Sequence, residues 1–523
     1  MISVMLLMIL CGGLFITSGL FKESLNSPKE YFILISMTIL LSICVMVSDG
    51  LQKLVKSLKS RLFLNGVGVV CLLTTIYGFL QYFGLILSNH SAFPITGTYE
   101  NPAGFAVVQA AMFPFVFTRC FDRESGWFLK VFSIIVSVLC TTSVILAGSR
   151  TGFLAICAAI VVVLALTDVV SSSFKVHRWL WILFIALVVT CAIILYCLKK
   201  DSADGRMFIW SCCFDMIKKH PFLGYGVDGF HRFYMSTQAN YFRIHPDSPY
   251  VMLADNTLHP FNEYIKLTVN YGLLGFSMAL FLLVCIVRKL FKCERGYKVL
   301  GLSFVASVFT MCQFSYPFEY AVVWLLTIVV VIPAFIKPRK QYVIPRLIAV
   351  LTCLLSMAFM VHTLRKMYYE MKWTEISKRS QVGQAERMLK YYKGMPKIVK
   401  RNPLFLYNYA AELYLLGDYE ESLVQSMKCA ERWNDYQVQL MLANNYIKLS
   451  SKDKAIQSLD EACNMIPCRY EPLYGKMLLY KSYGDTINAV RTANDIIEKP
   501  YKIWSERVTF IVGQAKQLLL EYD

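Results

Sequence analysis

The sequence predicts an all-α protein, namely a polytopic transmembrane helix bundle of about 11 to 12 spans followed by an α-solenoid. The chain has 523 residues, of which 56% are hydrophobic, and its mean hydropathy is +0.48. Apolar windows of about 20 residues, long enough for a helix to cross a ~30 Å hydrocarbon core, recur up to about residue 362. Beyond that point the chain is polar and helix-forming, with turn signals at regular intervals.

Eleven apolar windows are predicted to span the membrane. They cover residues 1–20, 31–47, 63–87, 103–118, 131–147, 152–168, 179–198, 267–287, 299–315, 320–336 and 346–362. Five of the intervening loops, 48–62, 119–130, 168–178, 288–298 and 337–346, hold 18 basic residues. The alternate short loops, 21–30, 88–102, 148–151 and 316–319, hold 3. The positive-inside rule therefore places the basic loops in the cytoplasm and explains much of the net charge of +18 without a nucleic-acid partner.

The 17 cysteines are scattered mainly through the apolar windows, and no pair has the C-x-x-C spacing of a metal site. We therefore expect most of them to be small hydrophobic packing residues, and we expect neither a metal ion nor a cofactor. A disulfide among Cys212, Cys213, Cys429, Cys463 and Cys468, which lie outside the predicted spans, stays open.

The region from about 364 to 523 repeats its turn signals every 33 to 34 residues. Gly417-Asp418 aligns with Gly484-Asp485, and small residues at positions 422, 455 and 489 fall in register. This period resembles that of tetratricopeptide repeats, and a helix-pair solenoid presents a concave surface to a protein partner. Three repeats are predicted near residues 404–435, 436–468 and 469–502, with a degenerate one at 382–396. A plain helical bundle is the alternative.

Arg150, in the stretch LAGSRTGFLA, lies at the predicted outer end of the sixth span. An arginine at the bilayer centre costs on the order of 2.5–3.5 kcal/mol, so this side chain should lie at an interface, in a polar cavity or beside an anion. A simple interfacial arginine that reaches lipid headgroups is one interpretation. The glycines on both sides favour an arginine beside an anionic ligand, because they let a ligand approach the backbone.

Arg206 and Trp210 lie in a predicted helix of the long outer segment, which begins near Asp204-Gly205 and ends at His220-Pro221. This start would place Arg206 in the first turn, where the helix dipole disfavours a cation unless an anion is close. The alternative is a solvated surface arginine.

The segment HPFNEY precedes the eighth span. Pro260 suits a first helical position, which would make His259 the cap and put Asn262 and Glu263 in the first turn. A helix N-terminus attracts phosphate and favours a neutral imidazole, which can accept a proton. His259 as a mere cap, within an interfacial segment, is the alternative.

Two further candidates lie in short outer loops. Asn101, before Pro102, is predicted to cap the fourth span, which needs no function. Glu319, in the turn YPFEY, could pair with an arginine or simply lie at the interface.

Two arginines, a helix N-terminus and a histidine on the outer side suit an anionic lipid-linked substrate. Arginines hold a diphosphate through bidentate hydrogen bonds, and a neutral histidine can take the proton of an attacking hydroxyl. As a diphosphate leaves, its growing negative charge meets the arginines.

The chain resembles the superfamily of O-antigen ligases, O-antigen polymerases and protein O-oligosaccharyltransferases over roughly residues 95–335. The matching pieces occur in family order and are NPAGFA (101–106), GSRTGFLA (148–155), R-x-x-x-W with HPFLGYGVDGF (206–230) and HPFNEYIKLTVNYGLLGF (259–276). Two features depart from the common pattern: Pro260 and Phe261 separate His259 from Asn262, and Asn270 replaces an acidic residue.

The resemblance implies transfer of a glycan from undecaprenyl diphosphate to an acceptor hydroxyl outside the bacterial cytoplasmic (inner) membrane. Arg150 and Arg206 would bind the diphosphate and His259 would deprotonate the acceptor, while Asn101, Trp210, Asn262, Glu263 and Glu319 would line the substrate site. The acceptor could be lipid A core, a growing polysaccharide or a protein. The alternatives are a polymerase of the same superfamily and a non-catalytic carrier or scaffold for lipid-linked glycans. The expected domains are a transmembrane domain, 1–363, with an extracytoplasmic loop, 199–260, and a periplasmic repeat domain, 364–523.

Overall fold

The computed structural model describes residues 1–47, 49–167, 200–336 and 345–522. Within these ranges the regular elements are all helices, which confirms the predicted all-α class. Contacts within the chain divide it into two compact units. The first unit comprises Met1–Leu198, Phe261–Glu263 and Met278–Met371, and the second comprises Lys199–Pro260, Tyr264–Ser277 and Lys372–Asp523.

The apolar helices account for ten of the eleven predicted spans; the window 179–198 lies outside the described residues. The helices up to residue 379 are α1 (Ile2–Phe15), α2 (Ser27–Met46), α3 (Gly50–Leu58), α4 (Arg61–Tyr82), α5 (Pro102–Phe117), α6 (Trp127–Leu146), α7 (Arg150–Leu166), α8 (Lys200–Lys219), α9 (Gly229–Ile244), α10 (Glu263–Phe291), α11 (Arg295–Phe314), α12 (Ala321–Phe335) and α13 (Arg346–Arg379). In the described residues, α2, α4, α6, α10, α11 and α13 are long and apolar enough to cross a membrane, and so is α5 together with the 3-10 turn that extends it to Phe121. The apolar helices α1, α7 and α12 are shorter than these spans.

Helix α5 forms the centre of the first unit, and every residue from Gly104 to Val116 on it is buried. Its one amide side chain in that stretch, Gln109, donates hydrogen bonds to Thr74 Oγ1 and Thr75 Oγ1 of α4 (3.2 and 3.1 Å). A buried amide without partners would cost free energy, so these bonds make a polar residue acceptable in this core.

The second unit combines residues 199–260, the predicted outer segment, with the C-terminal helices of the predicted repeats. We call these two parts the outer segment and the repeat region. Its core contains Phe208 and Met216 of α8 and Phe230 of α9, together with Met465 and Ile466 from the repeat region. All five side chains are at most 1% exposed. The outer segment and the repeat region therefore form one hydrophobic core. Burial of each large apolar side chain stabilises a fold by about 1.5–3 kcal/mol.

Helix α10 is interrupted at Gly272, whose φ of 65° and ψ of −169° are not helical. The freed backbone groups pair with the loop that follows α8, because Leu273 N donates to Pro221 O (2.8 Å) and Leu274 N donates to Phe222 O (3.2 Å). A Cβ atom at position 272 would lie 2.2 Å from the Phe222 carbonyl carbon and oxygen. Only glycine therefore fits this break in both conformation and space.

The C-terminal region contains three helix pairs in the three intervals predicted for repeats. The remaining helices are α14 (Ala385–Lys393), α15 (Lys397–Lys400), α16 (Pro403–Leu415), α17 (Tyr419–Ala430), α18 (Tyr436–Lys448), α19 (Lys452–Met465), α20 (Glu471–Ser482), α21 (Thr486–Glu498) and α22 (Glu506–Tyr522). The first helices of the pairs begin at residues 403, 436 and 471, which are 33 and 35 residues apart. At the predicted degenerate repeat, 382–396, the structure has the single helix α14 of 9 residues.

Two predicted helix starts are wrong. Helix α8 is already helical at Lys200, so Arg206 lies in its second turn, beyond the first turn in which the helix dipole disfavours a cation. Helix α10 begins at Glu263, because Phe261 has φ 54°, which is incompatible with a right-handed helix. His259 is therefore not the cap of α10, although Glu263 is in its first turn, as predicted, and Asn262 directly precedes it.

Candidate functional site

Arg150 is the first residue of α7 and is half-buried. Gly148 turns the chain with φ 68°, and the Ser149 side chain caps the helix by accepting a hydrogen bond from Gly152 N (3.2 Å). The helix dipole places partial positive charge at this end, so a cation there is disfavoured unless an anion is close. Because Arg150 lies in the first turn of α7, the dipole acts on its charge, and the turn combines a guanidinium with a helix N-terminus.

The Arg150 turn is attached to the C-terminal end of α11. Thr151 Oγ1 donates to the carbonyl oxygen of Phe314 (3.3 Å). Asn262 Nδ2 donates to the preceding carbonyl oxygen, that of Gln313 (3.1 Å). The last carbonyls of a helix lack intrahelical partners, and here two distant segments of the chain satisfy them. The first unit therefore holds the Arg150 turn and the Asn262 segment at neighbouring positions.

Gly152 allows a further close contact between two of the sequence motifs. A Cβ atom at this position would lie 2.9 Å from the Ala106 Cβ on α5. Real Cβ contacts are longer, so a larger residue would push α7 and α5 apart. GSRTGFLA and NPAGFA are therefore packed against each other.

Asn101 caps α5, as predicted, by accepting a hydrogen bond from Gly104 N (3.0 Å). Its Nδ2 also donates to the Tyr316 hydroxyl (3.4 Å), and the Tyr316 ring contacts the Phe261 ring with centroids 5.7 Å apart. Asn101, the turn that contains Tyr316 and the segment that contains Phe261 thus meet within the first unit.

Glu319 is exposed in the short turn Pro317–Glu319. Its charge contributes to raising the pKa of Glu100 and of Glu23, although burial of these two carboxyl groups is the larger cause. This part of the first unit is accordingly rich in acidic side chains. Lys29 lies among them, with its Nζ 4.3 Å from the centroid of the Tyr99 ring. In the sequence, Lys29 stands out only as one of the basic residues of the predicted loop 21–30.

In the second unit, the residues on both sides of His259 are held by hydrogen bonds. Trp210 Nε1 donates to the carbonyl oxygen of Pro260 (2.8 Å). His231 Nε2 bonds to the carbonyl oxygen of Leu258 (3.0 Å), and since a carbonyl only accepts, this nitrogen carries the hydrogen. The His231 and His259 rings lie edge to face with centroids 6.2 Å apart. The two residues that flank His259 are thereby held, Leu258 by His231 and Pro260 by Trp210.

The predicted site residues divide between the two units. Arg150, Asn101, Asn262, Glu263 and Glu319 belong to the first unit, whereas Arg206, Trp210 and His259 belong to the second. Arg206 is half-buried on α8, one turn before Trp210. The sequence does not predict the supporting residues Thr151, Tyr316 and His231, because a side chain that bonds a distant part of the chain leaves no local pattern.

The sequence model of the O-antigen ligase family (Wzy_C) matches residues 135–282 of the chain. This stretch contains Arg150, Arg206 and His259, and it ends before Glu319 and begins after Asn101. No curated protein matches the chain. The family match supports the O-antigen ligase and polymerase superfamily and a glycan ligase- or polymerase-type activity in a membrane.

Proposed function

We propose that the protein transfers a glycan from undecaprenyl diphosphate to an acceptor hydroxyl on the outer side of a bacterial cytoplasmic membrane. The observation that carries this proposal is the pair of bonds from Thr151 and Asn262 to consecutive carbonyls of α11, which brings two matched motifs to one helix end. The family match over residues 135–282 supports the same class of reaction.

The proposed reaction is a direct displacement at the anomeric carbon of the glycan. The acceptor oxygen attacks this carbon while the bond from the carbon to the diphosphate oxygen breaks, so the anomeric configuration inverts. His259 takes the hydroxyl proton, and Arg150 and Arg206 stabilise the negative charge that develops on the leaving diphosphate. Bidentate guanidinium donors suit the paired oxygens of that group. Asn101, Trp210, Asn262, Glu263 and Glu319 contribute to substrate binding or hold these groups.

Trp210 supports the role of His259 in particular. A general base must lie within hydrogen-bond reach of the proton that it takes, so small displacements are costly. The bonds from Trp210 to Pro260 O and from His231 to Leu258 O restrict the backbone on both sides of His259. If His259 served only as an interfacial anchor, it would not require side-chain hydrogen bonds to the residues on both sides of it.

Proteins that transfer glycans from undecaprenyl diphosphate differ in the acceptor that receives the glycan. Lipid A core, a growing polysaccharide and a hydroxyl of a protein are the candidates, and the last would use the tetratricopeptide-like repeats, which we place in the periplasm. If the acceptor is a second lipid-linked glycan, the protein is a polymerase. A carrier or scaffold for lipid-linked glycans is the non-catalytic alternative.

The test uses purified full-length protein with a fluorescent undecaprenyl-diphosphate oligosaccharide and each acceptor class in turn. Transfer should fall by about 10²-fold or more in Arg150→Ala, Arg206→Ala and His259→Gln variants, since each removes a group that acts in the transition state. Lys218→Ala is the matched control, because Lys218 is a cation on the same helix as Arg206 and is exposed. Unchanged transfer by the three variants would refute the assigned roles, and absence of transfer to every acceptor would favour the carrier.

A further inference from the structure

The segment that leads to His259 is bonded to the repeat region at two residues, Ala254 and Asn256. Ala254 O accepts a hydrogen bond from Lys502 Nζ (3.4 Å). Asn256 Nδ2 donates to Asp435 Oδ2 (2.9 Å). Since Lys502 follows the third helix pair and Asp435 lies between the first and second, two separate parts of the repeat region hold one short stretch, residues 254–256.

Helix α9 of the outer segment packs against the repeat region and bonds to it through Gln238 and Arg243. Gln238 of α9 is fully buried, and its Nε2 donates both to Met465 O (2.6 Å) and to Asp255 O (3.2 Å). One amide group therefore connects the repeat helix α19 to the stretch 254–256. Arg243, one turn and a half further along α9, forms an ion pair with Glu461 of α19 (2.7 Å).

A second connection runs from the repeat region through His231 to Leu258, the residue that precedes His259. The His231 ring stacks on the Trp433 ring of the repeat region, with centroids 5.1 Å apart and an interplanar angle of 27°. Trp433 Nε1 donates to Asp435 Oδ2 (3.2 Å), the same oxygen that accepts from Asn256. Stacking fixes the plane of the imidazole, and that plane directs the Nε2 hydrogen at Leu258 O.

We propose that the repeat region positions His259 for catalysis through this connection, with Trp433 and His231 as positioning residues. The inference rests on the proposed function, in which His259 is the base. It assigns the repeats a part in the transfer step itself, in addition to any recruitment of an acceptor. The alternative is that the repeats only bind the acceptor, in which case their variants change the KM for the acceptor.

The test compares kcat and KM in full-length variants with the fluorescent lipid-linked donor. Trp433→Ala and His231→Leu should each lower kcat by about 10- to 100-fold, the range expected when a base is displaced by up to ~1 Å, with the KM for donor and acceptor within about twofold of the unsubstituted protein. Trp433→Phe keeps an aromatic ring and His231→Gln keeps a donor near the Nε2 position, so both should restore most of the rate.

Matched controls separate positioning from general damage. Trp504→Ala removes an exposed tryptophan of the same region, and His245→Leu removes a histidine at the end of α9 that contacts Tyr241 instead of the His259 segment. Both should keep kcat. If Trp433→Ala or His231→Leu unfolds at a markedly lower temperature, Asn256→Ala provides an independent variant, since it removes only the bond to Asp435.

Each outcome decides between the possibilities. Unchanged kcat in Trp433→Ala, His231→Leu and Asn256→Ala, with an inactive His259→Gln, would overturn the positioning role and leave the proposed function intact. A higher acceptor KM with unchanged kcat would show that the repeats only recruit. Full transfer by His259→Gln would overturn the role of His259 as the base, and this inference with it. Absence of transfer by the unsubstituted protein to every acceptor would overturn the proposed function itself.

Discussion

Thr151 and Asn262 donate hydrogen bonds to consecutive carbonyls, those of Phe314 and Gln313, although 111 residues separate them in the sequence. These bonds fix the turn that contains Arg150 and the segment that follows His259 to a single helix end. The helix α11 therefore serves as a common support for two sequence motifs.

The first prediction concerns these two bonds. Thr151→Val and Asn262→Ala each leave a carbonyl of α11 without its side-chain donor, which should cost about 0.5–1.5 kcal/mol in the free energy of unfolding. Both should also lower glycan transfer. Thr151→Ser, which keeps the hydroxyl, serves as the control. Thermal unfolding of the purified protein and the donor assay measure the two effects, and equal activity in Thr151→Val and Thr151→Ser would exclude the supporting role.

The second prediction concerns the indole donor of Trp210. Trp210→Phe keeps an aromatic ring but removes the bond to Pro260 O, so the backbone beside His259 loses one of its clamps. We expect kcat to fall by about 10-fold while donor binding is kept. Trp127→Phe, at an exposed tryptophan of α6, should leave kcat unchanged. A variant with full kcat would mean that this clamp is dispensable.

The third prediction concerns the break in α10. Gly272→Ala should prevent correct folding or greatly lower expression, because its Cβ would overlap the Phe222 carbonyl and because φ is positive. Gly205→Ala is the matched control on α8, where nothing lies within 4 Å of the added Cβ. In a helix this change should stabilise by up to about 1 kcal/mol. Size-exclusion chromatography and thermal unfolding distinguish the two outcomes.

The fourth prediction concerns Asn270, which stands where an acidic residue is common in the resembled superfamily. Its Oδ1 accepts a hydrogen bond from Phe230 N (3.0 Å) at the start of α9. Asn270→Asp keeps an acceptor and should preserve stability and transfer, whereas Asn270→Ala leaves a buried N–H unsatisfied and should cost about 1–3 kcal/mol. Identical unfolding temperatures for the two variants would contradict this account.

The fifth prediction concerns thiol reactivity in the second unit, where the described cysteines are free. Burial raises the pKa of the Cys212 thiol to about 12, so its thiolate fraction is small at neutral pH. A raised pKa means that reactivity increases as the pH rises. Alkylation of Cys212 should therefore be at least about 10³-fold slower at pH 8 than for an ordinary thiol with a pKa near 9, and it should accelerate with each added pH unit.

Mass spectrometry after timed treatment with iodoacetamide measures this labelling. A urea-denatured sample is the control and should react rapidly at Cys212. Rapid labelling of Cys212 in the folded protein at pH 8 would show that α8 is not packed as described.

The sequence was sufficient to predict the apolar helices, because hydrophobic length is a local property of the chain. It was insufficient for the starts of α8 and α10. The conformation of Phe261 accompanies a ring contact with Tyr316, 55 residues away, and this contact has no counterpart in the neighbouring sequence. Pro260 therefore predicts a helix start at the wrong residue, because tertiary contacts delay the start of α10 to Glu263.

The candidate site was predictable where a polar side chain stands out against its surroundings, as Arg150 does beside an apolar helix. Its supports were not predictable for two reasons. The acceptors at Gln313 and Phe314 are backbone groups, which every residue possesses. His231 and Trp433 meet only after the chain has folded across about 200 residues, and neither lies in an unusual local pattern.

The shared core of the outer segment and the repeats has a consequence for how the protein is made. Ribosomes extend the chain from its N-terminus, so Met465 and Ile466 emerge more than 230 residues after Phe208 and Phe230. At about 5–20 residues per second, the early aromatic side chains wait roughly 10–50 s for their apolar neighbours. A premature stop codon before residue 465 would leave that surface permanently uncovered. Shortened translation products should consequently be degraded rather than persist as partly active enzymes.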